Sequence, residues 1–150
     1  MHAAVLTLTL WAGSLAAPGG VVINEILYRA PDDLSVEFIE LYNSGADSVD
    51  LSGWKLTNAV KFEFPKGTTI AADSYLVVTS DATLFAEFYP DAKAIGTYKG
   101  SLGNGGDSLI LFNRLGQPVD FLTYDDRAPW PLSADGSSAS LERICPSASG

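Results

Sequence analysis

The 150-residue chain predicts an all-β sandwich with one short helix. Three observations lead there. Short apolar runs recur between Gly-, Pro- and Asn/Asp-rich breaks, at roughly the 8–12-residue spacing of sandwich strands. Ser108–Phe112 and Pro118–Tyr124 flank the turn residues Asn113–Gly116, a clear hairpin signal. Only the stretch after Asp81 carries apolar residues at helical spacing, and no parallel βαβ pattern is visible.

Taken in order, Val21–Tyr28 (VVINEILY) reads as a β-rich run, and Ala30–Asp33 follows as a loop. Val36–Tyr42 (VEFIELY) is the next strand, stopped by Asn43-Ser44-Gly45. Val49 and Leu51 stand two apart and face one way. Gly53–Thr57 opens a further strand, and Phe62 and Phe64 flank Glu63, so their rings share a face. Pro65-Lys66-Gly67 is a turn. Tyr75–Thr79 (YLVVT) is continuous and apolar and reads as a central strand. Ser80-Asp81 caps a short helix over Ala82–Tyr89, with Leu84, Phe85 and Phe88 at helical spacing and Pro90-Asp91 ending it. Gly103–Asp107 is a tight turn before the hairpin, and Ser140–Ile144 (SLERI) is a last short segment.

The N-terminal run Ala3–Ala17 admits two readings. Its apolar stretch followed by small residues fits a secretory signal, so residues 1–20 are expected to be signal peptide and linker. The alternation Leu6-Thr7-Leu8-Thr9-Leu10 also fits a strand. The run is short of the roughly 20 apolar residues that a membrane-spanning helix needs. Residues 21–150 are expected to form the sandwich, with the C-terminal end looking truncated at Gly150.

Composition narrows the function. Hydrophobic residues make up 47% of the chain, enough for a core. A net charge of −9 repels phosphate backbones, so nucleic acid is not expected as a partner. The single cysteine, Cys145, allows no disulfide within the chain, and the single histidine, His2, allows neither a His-based triad nor a multi-His metal site. No G-x-S-x-G elbow is present, and the glycines at 103–106 precede a strand and lack the lysine of a phosphate loop. Catalytic residues are therefore expected to be none.

Candidate contact residues remain. Trp130 lies between Pro129 and Pro131, where a ring is often half exposed, while Trp54 after Gly53 reads as core. Tyr124, like Tyr98, offers a stacking ring, and Asp125 and Asp126 adjoin it in a loop. The expected binding set is Trp130, Tyr124, Asp125 and Asp126. Asp32, Asp33, Glu25 and Glu40 are the candidate ligands if a metal binds, and calcium is the one ion considered. Glu37 and Glu40 stand three apart and point to opposite faces of a regular strand; each reads most simply as solvent-facing or edge charge.

The order of motifs adds a family. Val22-Ile23-Asn24-Glu25-Ile26 is followed by Glu37–Asn43 (EFIELYN) and Val49–Leu56 (VDLSGWKL). Leu102–Leu109 (LGNGGDSL), Val119–Tyr124 (VDFLTY) and Ser140–Ile144 then complete the series. The series resembles the bacterial lamin tail domain over residues 21 to 144. The resemblance implies an immunoglobulin-like β-sandwich without recognised catalytic residues. It also implies an exported module of a larger multidomain protein, tethering or binding a protein or cell-envelope partner. The DNA contacts of nuclear lamin tails are not carried over, because the chain has no coiled-coil rod and the wrong charge. The function expected is thus a non-catalytic, secreted or cell-surface binding module. The alternative is an accessory module or fragment of a secreted metal-dependent hydrolase, of phosphoesterase or nuclease type.

Overall fold

A computed structural model describes residues 20–30, 36–136 and 139–144. The N-terminal run, Asp32, Asp33 and Cys145 lie outside the described residues. The strands are β1 (Val21–Leu27), β2 (Phe38–Asn43), β3 (Val49–Asp50), β4 (Lys55–Asn58), β5 (Val60–Glu63) and β6 (Thr69–Ile70). They continue as β7 (Ser74–Thr79), β8 (Ala94–Thr97), β9 (Lys99–Gly100), β10 (Asp107–Phe112), β11 (Pro118–Tyr124) and β12 (Leu141–Glu142). Helix α1 (Ala82–Phe88) lies between β7 and β8, and a 3-10 turn (Leu132–Ala134) precedes β12.

Two five-stranded sheets form the sandwich, in the orders β12-β1-β2-β7-β8 and β11-β10-β4-β5-β9. A small β3-β6 pair stands beside them. The alternating residues of each strand supply the core. Val21, Ile23, Ile26, Ile39, Leu41, Leu76 and Val78 come from the first sheet, and Leu56, Val60, Leu109, Leu111 and Leu122 meet them from the second. Phe64 joins this core with Phe62 packed edge-on against it, and Trp54 is half-buried at its margin. The architecture is the expected immunoglobulin-like β-sandwich with one short helix.

Helix α1 starts at the Asp81 cap, whose carboxylate accepts the Thr83 and Leu84 backbone N–H groups. Its buried residue, Phe85, packs on Leu27, Val36 and Phe38, so the helix covers part of the outer face of the first sheet. The helix also corrects one expectation. The β7-α1-β8 segment is a parallel crossover, because β8 pairs with β7 in parallel register. Its return strand is the four-residue AIGT, too short to read as a strand. Its glycine serves close approach: a Cβ on Gly96 would sit 2.9 Å from the Phe62 ring.

The chain closes on itself at β12, which pairs antiparallel with β1 through Glu25–Glu142 and Ile26–Leu141. The backbone N–H of Arg143 extends that pairing by donating to the Asn24 carbonyl at 2.7 Å.

Candidate functional site

The distinctive chemistry of the described residues gathers on the ribbon made by β1 and β12 and on its neighbour β2. In β1, Val21 and Ile23 point into the core, and strict alternation would send Glu25 after them. A β-bulge between Ile23 and Glu25 prevents this. Asn24 is the extra residue, and past it the parity reverses, so that Ile26 and Tyr28 enter the core and Glu25 emerges on the outer face.

There Glu25 stands directly opposite Glu40 of β2 on one side and Glu142 of β12 on the other. Three carboxylates thus occupy one cross-strand row, an arrangement that is destabilising in itself because directly opposed like charges repel. Ser140 Oγ donates to Glu25 Oε1, and Asn24 Nδ2 donates to Glu40 Oε1 at 2.9 Å. Burial raises the Glu25 pKa, with Ser140 opposing and Glu142 adding to the rise. Burial likewise pushes Glu40 up to about 7, against the Asn24 hydrogen bond and with help from Glu25 and Glu142. No Lys or Arg forms an ion pair with Glu25 or Glu40 among the described residues. Glu25 and Glu40, expected as solvent-facing or edge charge, are therefore half-buried on strands interior to the sheet, while Glu142 is exposed on the edge strand.

Aromatic rings bound the row on both sides. Tyr42 and Tyr75, paired across β2 and β7, stack with ring centres 4.7 Å apart, and Tyr75 is 58% exposed. Tyr75 lies diagonally from Glu40, and its hydroxyl is held above its ordinary pKa by burial first, then by Glu40, Glu142, Asp73 and Glu25. On the far side Tyr89, stacked on Phe85, is close enough to Glu25 for the carboxylate to raise its pKa, after burial.

The opposite face of the same ribbon is charge-paired. Asp120 of β11 points inward with Leu122 and Tyr124. Its Oδ2 accepts from the Ile23 backbone N–H at 2.8 Å and from Arg143 Nη2 at 2.7 Å. The Arg143 and Asp120 side chains are 6% and 0% exposed, so this ion pair locks β12 and β1 to the second sheet from within. Asp120 is a buried mid-strand residue. Its inward parity between apolar neighbours is the sequence signal that marks a buried partner.

The expected contact residues separate. Trp130 is half-buried against the core and lines a shallow recess with Asn24, Glu25, Leu141 and Glu142, which brings it beside the carboxylate row. Tyr124 lies inside the sandwich: it is 2% exposed, its ring leans on Tyr28 at 4.8 Å, and its hydroxyl donates to the Gly103 carbonyl. Asp125 is exposed and Asp126 half-buried at the end of the sandwich by Tyr28, whose pKa is pushed up to about 12 by burial, then by Asp135 and Asp126. Tyr98 is also core, donating to Glu37 Oε2, which accepts the Leu102 N–H as well. Glu37 and Glu40 do diverge to separate partners. Glu25 and Glu40 do meet. Among the described residues no three His, Cys, Asp or Glu side chains are arranged to hold a metal ion. None of their helices is long and apolar enough to cross a membrane.

The fold and this surface define an immunoglobulin-like β-sandwich module. The Lamin Tail Domain family model matches residues 14–126, and the chain belongs to that family. The family is non-catalytic and of the protein-interaction type. No curated protein matches the chain.

Proposed function

We propose that the chain is a non-catalytic binding and tethering module, secreted or displayed at the cell surface within a larger multidomain protein, where it engages a protein or cell-envelope partner. Membership of the lamin tail family carries this reading. The apolar N-terminal run with its small-residue end supports export. The net charge of −9 argues against nucleic acid as the partner.

The test pairs two measurements on the full chain. The immobilised protein is exposed to envelope extract, and a substrate panel for phosphoesterase and nuclease activity is run with magnesium, manganese and calcium. Saturable retention of one envelope component with no turnover is the expected result. Turnover that depends on an added metal, with nothing retained, would replace the tethering module by the hydrolase alternative.

A further inference from the structure

The carboxylate row rests on a sheet face that the helix covers only in part, and the molecule supplies Glu25 and Glu40 with no cation among the described residues. A second observation is independent of the charges. Asn24 is 4% exposed, and its amide nitrogen is held by Glu40. Its Oδ1 meets no hydrogen-bond donor. A buried acceptor without a donor costs stability unless something else supplies an N–H or O–H. Asn24 and Glu25 also line the recess at Trp130, and Asn24 donates to Glu40, so the residue that carries the unsatisfied oxygen adjoins the acidic row.

We propose that this face is a docking site for an arginine-bearing basic segment of a protein partner, with one guanidinium seated on Glu25 and Glu40 and flanked by Tyr75. The proposal deepens the binding-module reading and rests on it. Charge complementarity selects a cation, and geometry selects arginine among cations. A guanidinium is a planar fork of N–H donors that spans two acceptors and stacks on an aromatic face. The row offers carboxylates on adjacent strands, and the Tyr42–Tyr75 stack stands beside them with Tyr75 open to solvent. Lysine is a compact point charge that uses only the electrostatic part of this surface. Calcium takes six to eight oxygens in a closed shell. Within the described residues, no set of three acidic side chains is arranged for a metal.

The test uses the full chain with fluorescently labelled hexa-arginine and hexa-lysine peptides, at about 150 mM salt to screen diffuse attraction. Two variants remove the same charge. Glu25→Gln/Glu40→Gln lies in the row, and Asp47→Asn/Glu63→Gln lies away from it. The row variant is expected to weaken hexa-arginine by about tenfold or more, as for loss of charge-assisted hydrogen bonds. The remote variant is expected to change it by less than about twofold, as for exposed charges at this salt. Tyr75→Ala is expected to weaken hexa-arginine by about threefold and to leave hexa-lysine closer to unchanged. Thermal unfolding of each variant confirms folding, which removal of opposed like charges does not threaten.

Equal weakening by both charge variants would reduce the site to bulk electrostatics and overturn the proposal. So would binding of hexa-lysine as tight as that of hexa-arginine, or saturable thermal protection by calcium chloride lost in the row variant. If the envelope partner is retained equally by wild type and Glu25→Gln/Glu40→Gln, this surface is the wrong one while the tethering module stands. If nothing is retained and substrate is turned over, the module reading itself fails.

Discussion

The ribbon of β1 and β12 carries charge on both faces, and the two faces treat it oppositely. Inward, Arg143 meets Asp120 in a dry, hydrogen-bonded pair that also satisfies the Ile23 N–H. Outward, Glu25 faces Glu40 and Glu142 with no opposite charge on Glu25 or Glu40 among the described residues. The inner pair fixes which residues of β12 lie against β1. The outer row opposes that same register, so the fold holds it in place at a cost that a bound cation or proton would relieve. Buried charge in this domain is structural where it is paired and available where it is not.

Breaking the inner face should produce the largest effect. Arg143→Met leaves the Asp120 carboxylate buried without its cation and is expected to cost about 3 kcal/mol in urea unfolding. Adding Asp120→Asn removes the stranded charge and keeps an acceptor for Ile23, so the double variant is expected to recover more than half of that loss. A double variant as unstable as the sum of the singles would mean that the two residues are not energetically coupled.

The outer face should respond to pH in the opposite sense from an ordinary paired carboxylate. Glu40 is shifted from 4.5 to about 7, so the folded state holds its proton more tightly than the unfolded chain. The stabilising contribution is complete below about pH 4.5 and is lost as pH rises through about 7. Glu25 from β1 and Glu142 from β12 face Glu40 and add to the rise that burial causes, against the hydrogen bond from Asn24; the neutral Tyr75 hydroxyl on β7 brings no charge to it. Glu40→Gln is therefore expected to be about 2 kcal/mol more stable than wild type at about pH 8, less than the full shift implies because solvent screens a half-buried carboxylate, and about equal to it at about pH 4. A pH-stability profile unchanged by the substitution would show that Glu40 is solvated like any surface carboxylate.

Smaller effects sharpen the contrast. Ser140→Ala removes the hydroxyl that donates to Glu25 and is expected to cost about 1 kcal/mol at about pH 8, less once Glu25 is protonated. Tyr75→Ala should lie within about 0.5 kcal/mol of wild type, since the ring is exposed and loses only its stack on Tyr42. Loss of peptide binding without loss of stability would separate the role of Tyr75 from that of Ser140.

What was legible in the sequence was local. The β10-β11 hairpin, the Asp81 helix cap and the strands β2 and β7 depend on residues near one another in the chain, and the pattern of apolar and turn residues states them directly. The bulge at Asn24 was not legible. One residue reverses the parity of β1, and only through that reversal does Glu25 emerge on the outer face opposite Glu40. The Asp120–Arg143 pair joins two sheets and needs the packing of both. Tyr124 read as a contact residue because its ring could stack on a ligand, although it shares the inward parity of Asp120 and Leu122. Trp130 read correctly as half exposed, but its neighbours Asn24 and Glu25 come from more than a hundred residues away.

The pairing of β1 with β12 has a consequence in time. Ser140 and Glu25 are 115 residues apart, and β1 is the first described strand made while β12 is the last. At about 5–20 residues per second of synthesis, one side of β1 waits roughly ten seconds for its neighbour. Through that interval the nascent chain carries an unfinished hairpin of β1 and β2, apolar on one side and open along an edge. Final closure cannot precede the emergence of β12, so this side of β1 is completed last among the described strands.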